Sequence, residues 1–260
     1  MPSQQPLDAI PLLLFVPLLI GANLLAYEGG YRVGLRAQRA RSDDGGGPTG
    51  MIVGSVLALM AFLLAITMGM ASDRFNARRS LVVKEAQAIA TGYLRAGYLP
   101  EPASSDSRDL WREYLALRIT SVSNERLAAN IARSEDIQDL LWTIGEDLAR
   151  QEDSSLVALY LESVNSVIGL HQERVNAGIY SRVPITILWL LIVGVVLSLG
   201  LVGYQAGLVA QHSMVSATVL AILLTGVMWM ILDLERPRDG LIPINQQPLV
   251  DLLERVDSMP

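Results

Sequence analysis

From Val183 to Leu232 the chain reads VPITILWLLIVGVVLSLGLVGYQAGLVAQHSMVSATVLAILLTGVMWMIL, without a single Asp, Glu, Lys or Arg. A bilayer core about 30 Å thick needs roughly 20 apolar residues at helical rise, so the stretch can supply two spans. A soluble core helix rarely avoids charge for so long. Gly203 to Ser213 holds the turn, which gives spans Pro184–Tyr204 and Val209–Leu232.

Two further stretches repeat this character nearer the N-terminus. Gly45 to Ser72 is also free of charged residues. It opens on the breaker Gly45-Gly46-Gly47-Pro48, which sets a span at Met51–Ala71. Ile10–Tyr27 forms another span, with Pro11 and Pro17 near its start and Asn23 near its end. A signal peptide would carry a basic n-region and a small-residue cleavage site, and neither flanks this run, so it reads as a retained span. Trp189 and Trp229 can share one membrane interface and Tyr27 and Tyr204 the other. The expected fold class is therefore all-α: four transmembrane helices in two hairpins, flanking a helical insert. Residues 1–72 form the first hairpin unit, 73–182 the soluble domain, 183–232 the second hairpin, and 233–260 a tail packing on the soluble domain.

Overall, 51% of residues are hydrophobic, 18% are charged and mean hydropathy is +0.37, so the remaining charge concentrates in the insert. Ile137, Leu140, Leu141, Ile144 and Leu148 follow the three-and-four spacing of an apolar helix face. Leu156, Tyr160, Val164, Val167 and Leu170 repeat it. Val82, Ala86, Ile89 and Tyr93 extend span two as one long helix, which Glu101-Pro102-Ala103-Ser104-Ser105 interrupts. Ser134 and Ser154 are candidate N-caps for later helices.

Orientation has two opposed signals. The insert side carries Arg74, Arg78, Arg79, Lys84, Arg174, Arg182, Arg236 and Arg238 near the spans, which favours a cytoplasmic insert. Arg32, Arg36, Arg39 and Arg41 lie in a short loop opposite, where the positive-inside rule is most dependable, and they argue the reverse. That cluster is a topology or lipid-headgroup signal.

Catalytic chemistry has few ingredients here. Two histidines, His171 and His212, and no cysteine leave a His/Cys metal site or a Cys nucleophile without its parts. Walker A, dinucleotide-fingerprint and Gly-x-Ser-x-Gly patterns are absent, so the chain is not expected to be an enzyme or to need a cofactor. His212 reads as an interfacial polar tip. Glu135-Asp136, Asp139, Glu146-Asp147 and Glu152-Asp153 lack EF-hand spacing with its turn glycine and read as solvated helix faces. A net charge of -6 excludes general nucleic-acid binding.

Span two is where a pathway can be built. Gly54, Ala58, Ala61, Ala65, Gly69 and Ser72 fall on one narrow side of a helix and permit close helix approach. Ala58, Phe62, Ile66 and Met70 advance by fours beside that stripe, with Asp73 returning to the same sector. In an oligomer such a surface becomes a ring. Narrow apolar rings gate ions by dewetting, and carboxylate rings concentrate cations. Ordinary helix packing followed by a helix-terminal acid would give the same periodicity.

The segment FLLAITMGMASDRFNARR, Phe62 to Arg79, resembles the second membrane helix of bestrophins and their bacterial relatives. In that family an apolar helix runs into an aromatic and Arg-rich extension, as at Asp73-Arg74-Phe75; the family's Arg beyond the apolar neck is replaced by Thr67. Glu235-Arg236-Pro237 and Asn245-Gln246-Gln247-Pro248-Leu249 resemble the family's acid-x-Pro and Asn-x-x-Pro-Leu elements. The resemblance implies a homopentameric ion channel in the inner membrane, with insert and termini in the cytoplasm and small ions passing a pore lined by span two. The family's neck positions fall on Ala58, Phe62 and Ile66, Ala58 departing from a bulky residue. The other reading of the chain is a non-conducting scaffold or sensor that binds a partner through its helical insert.

Overall fold

The computed structural model describes residues 11–40, 47–119, 124–151, 154–179, 182–236 and 240–258. Eight helices account for nearly all of them: α1 Leu12–Ala40, α2 Gly47–Ala96, α3 Ala103–Ile119, α4 Asn124–Gln151, α5 Ser155–Ile179, α6 Ile185–Leu208, α7 Met214–Leu234 and α8 Gln247–Asp257. No strand occurs among the described residues. Helices α1, α2, α6 and α7 are long and apolar enough to cross a membrane.

The chain divides into two compact units, Met1–Phe75 with Ser181–Pro243, and Asn76–Tyr180 with Ile244–Pro260. In the first, α1 packs along α6 and α7. Its buried seam of Leu12, Phe15, Leu19, Asn23 and Tyr27 steps by three and four, as one helix face requires. The closest crossing is built from glycine. A Cβ on Gly30 would overlap the Gly200 carbonyl, and one on Gly203 would overlap the Tyr27 carbonyl. Gly34 and Gly207 meet the backbones of Tyr204 and Tyr31 in the same way. Between apolar helices in lipid, close backbone approach supplies the packing energy that water-driven burial does not. Farther along, Asn23 Nδ2 donates to Thr225 Oγ1 at 3.2 Å, a fully buried link between α1 and α7. Met60, Leu64 and Ala71 carry α2 into the same core, and Gly194 leaves room for the Met60 sulfur.

Helix boundaries differ informatively from the spans expected. The first apolar run ends at Tyr27, yet α1 continues through Gly29, Gly30 and Gly34 to Ala40, with no Pro to end it and with Gly30 and Gly34 packed closely against α6. Gly45 and Gly46 lie outside the described residues; Pro48 sits in the first turn of α2, where its missing N–H costs nothing. Helix α7 starts at Met214 and not at Val209, since Ala210 adopts a positive φ of 52° and Ser213 caps the helix by accepting from the Ser216 N–H.

In the second unit, Ile89, Tyr93, Trp111, Tyr114, Leu115, Ile137, Leu141, Tyr160 and Leu249 form one core. Two expectations need correction. Leu140 and Leu156 are exposed, because α4 and α5 turn narrower faces inward than the spacing allowed. Ser134 is no cap: it lies within α4, buried, its hydroxyl donating to the Asn130 carbonyl four residues back. Ser154 does stand immediately before α5, its carbonyl accepting from the Ala158 N–H.

Candidate functional site

Helix α2 has two unlike sides within the first unit. Val53, Met60, Leu64, Thr67 and Ala71 are buried. Roughly half a turn away, at about 100° per residue, the opposite side carries Ala58, Phe62 and Ile66, all exposed in the single chain, Phe62 at 61% and Ile66 at 46%. Gly54, Ala61, Ala65 and Gly69 are exposed beside them. Met70 is partly covered and Asp73 exposed. Thr67, at the position of the resembled family's arginine, belongs to the buried side and donates its hydroxyl to the Leu63 carbonyl.

One residue past Asp73 the helix turns a cation back toward its own bundle. Arg74 Nη1 lies 3.9 Å from Glu235 Oε2, and that oxygen accepts from the Val183 N–H at 2.7 Å. Arg74 and Glu235, from motifs far apart in sequence, therefore meet where α6 begins and α7 ends. Pro237 lies outside the described residues. Asp233, which the sequence reading passed over, is buried at the end of α7, and its carboxylate accepts from the N–H groups of Leu241 and Ile242. The signal was visible as the first acid after a long charge-free run.

The Asn-x-x-Pro-Leu element has a plain physical role in the second unit. Asn245 Oδ1 accepts from the Gln247 N–H at 2.8 Å, Pro248 occupies the first turn of α8, and Leu249 is fully buried. Together they start a helix and anchor it in the core.

A buried polar cluster in that unit was not anticipated. Glu85 is fully buried and binds Arg118 Nε at 2.8 Å and Arg174 Nη1. Burial alone would raise its pKa, but the two guanidinium groups outweigh it and hold the carboxylate below its ordinary range. Tyr114, hydrogen-bonded to Glu85 and Gln138, has its pKa raised by burial and by the Glu85 charge. His171 Nδ1 lies 3.4 Å from the Tyr114 hydroxyl, and burial, with the charge of Arg118, lowers its pKa to about 4. The sequence did hold a hint: Glu85 falls on the same helix face as Val82 and Ile89.

Among the described acids, Glu135, Asp136, Asp139, Glu146 and Asp147 are exposed, and Arg150 pairs with the last two. Glu152 and Asp153 lie outside the described residues. No group of His, Cys, Asp and Glu able to hold a metal occurs among the described residues. His212, at the α6–α7 turn, pairs with Glu28 at 3.1 Å and lies against the Tyr31 ring.

Four membrane-length apolar helices, with a separate helical unit between the second and third, define a helical multi-pass membrane protein. The bestrophin-like domain model matches residues 20–249, and the chain belongs to the bestrophin-like family. Its fold is similar to that of a solved bacterial bestrophin homologue from Klebsiella pneumoniae carrying a tryptophan-to-alanine mutation. The TM-score is 0.65 at 17% sequence identity, covering 93% of this chain and 95% of that one. No curated protein matches the chain.

Proposed function

We propose that this bestrophin-like membrane protein is an ion channel whose pore forms when copies of the chain, five by family resemblance, bring their α2 helices around a shared axis. The observation that carries the reading is the side of α2 bearing Phe62 and Ile66. It is strongly apolar, it lies opposite the side buried in the chain's own bundle, and small residues flank it to let helices approach. Phe62 and Ile66, with Ala58 as a wider ring, form an apolar neck that gates by dewetting; Met70 and Asp73 form its mouth. A ring of Asp73 carboxylates favours cations there, while Arg74 is drawn aside by Glu235. Family resemblance supports a bacterial inner-membrane setting with the helical unit and both termini in the cytoplasm.

Reconstitution into planar bilayers tests the reading. Wild-type protein should pass current, and Phe62→Ala and Ile66→Ala should each change single-channel current several-fold by widening the neck. Electrically silent bilayers containing correctly folded oligomer would refute it.

A further inference from the structure

Beyond conduction, we infer that the C-terminal part of α1 is a binding face for the phosphate of an anionic lipid headgroup, with Arg36 and Arg39 as its ligands. The depth of this face is set within the first unit. The α6–α7 turn must lie outside the hydrocarbon, where its backbone groups can be satisfied. It docks on α1 at Tyr27–Tyr31: the Ser213 N–H donates to the Tyr27 hydroxyl at 3.3 Å, His212 Nε2 sits 3.1 Å from Glu28 Oε2, and the His212 ring lies 4.4 Å from that of Tyr31. Tyr and His rings at this level suit a membrane interface.

Helix α1 then continues through Ala40. At about 1.5 Å per residue, Arg36 stands roughly 7 Å beyond Tyr31 and Arg39 roughly 12 Å. Headgroup layers add about 5–7 Å to each side of the hydrocarbon, and long arginine side chains reach back toward them. At about 100° per residue, Arg32, Arg36 and Arg39 fall within about 60° of one another, on the side away from Gly30 and Gly34. Those glycines face α6, so the arginines point away from it. All three are exposed.

Charge complementarity selects the occupant. Arg32 is already paired, its Nε 2.8 Å from Glu28 Oε1. Between Gly29 and Ala40 the chain has no acid, and the next ones, Asp43 and Asp44, lie outside the described residues. Arg36 and Arg39 thus present two guanidinium forks, whose geometry suits a phosphate diester, at the depth where lipid phosphates lie.

Thermal unfolding of the delipidated full-length protein in neutral detergent, titrated with phosphatidylglycerol or phosphatidylcholine, tests this directly. Phosphatidylglycerol should raise the midpoint at lower concentration than phosphatidylcholine. The R36Q/R39Q double variant should need on the order of tenfold more of it, given the contribution of each arginine near a charged surface. R36K/R39K, which keeps the charge and loses the forked geometry, should recover only part of the preference, which separates lost charge from lost folding. Equal response to both lipids, or an unchanged response in R36Q/R39Q, would overturn the inference. So would full reproduction of the shift by inorganic phosphate, since the site would then be one for a free anion. Unfolding reports none of the conduction chemistry, so this outcome and that of the bilayer experiment are independent.

Discussion

Glu85 is a fully buried carboxylate with two arginine partners. Removing the carboxylate strands both arginines in a poorly hydrated site, so Glu85→Ala should cost about 3–5 kcal/mol of stability, read as a lowered unfolding midpoint in the detergent-solubilised chain. Its neighbour His171 gives this cluster a pH signature. Free histidine titrates near 6.5, whereas His171 in the folded chain has its pKa lowered to about 4. Between those values the unfolded chain binds a proton that the folded chain refuses, so stability falls as pH drops from 6.5 toward 4 and the effect levels off below. Roughly 2.5 pH units at about 1.4 kcal/mol each amounts to about 3 kcal/mol. His171→Gln should flatten the pH dependence of the unfolding midpoint across that window; an unchanged slope would assign it to other groups. Neither residue's role was legible beforehand, because a lone Glu and a lone His on amphipathic helices show their partners only when four helices converge.

At the level of elements, the closest approach of α1 to α6 is made at glycines. Gly203→Val should force α1 and α6 apart, since the new side chain would occupy the space of the Tyr27 carbonyl. Overpacking of this kind typically costs about 1–3 kcal/mol and can cost more where backbone is the obstacle. The expected result is a lower unfolding midpoint for Gly203→Val than for Gly21→Val, because a Cβ on Gly21 meets nothing within 4 Å. The helices themselves were readable from charge-free length, and the run Val82, Ala86, Ile89 and Tyr93 correctly extended span two into a 50-residue helix. Their exact ends were less readable. The start of α7 depends on backbone geometry, the positive φ at Ala210, that hydropathy does not register.

For the whole molecule, the exposed apolar side of α2 makes a concrete demand. Phe62 and Ile66 must meet lipid, a pore lumen or other copies of the chain. Purified protein in lipid nanodiscs, imaged without imposed symmetry, should show fivefold particles with α2 innermost. A monomer or dimer with α2 at its rim would instead favour the scaffold reading of the chain.

By itself, the sequence determined that this is an all-helical membrane protein, since a continuous apolar run of about 20 residues spans hydrocarbon by satisfying its own backbone as a helix, and the absence of charge is plain in the letters. Its short motifs, Asp73-Arg74-Phe75, Glu235-Arg236-Pro237 and Asn245 to Leu249, were enough to suggest the family. Tertiary structure decided what those motifs do: it brought Arg74 to Glu235 and Val183, set Asn245 and Pro248 at the start of α8, and buried Thr67 while leaving Phe62 exposed. Periodicity fixes which residues share a helix face. Which face turns inward depends on the neighbours that fold against it, and those come from distant parts of the chain.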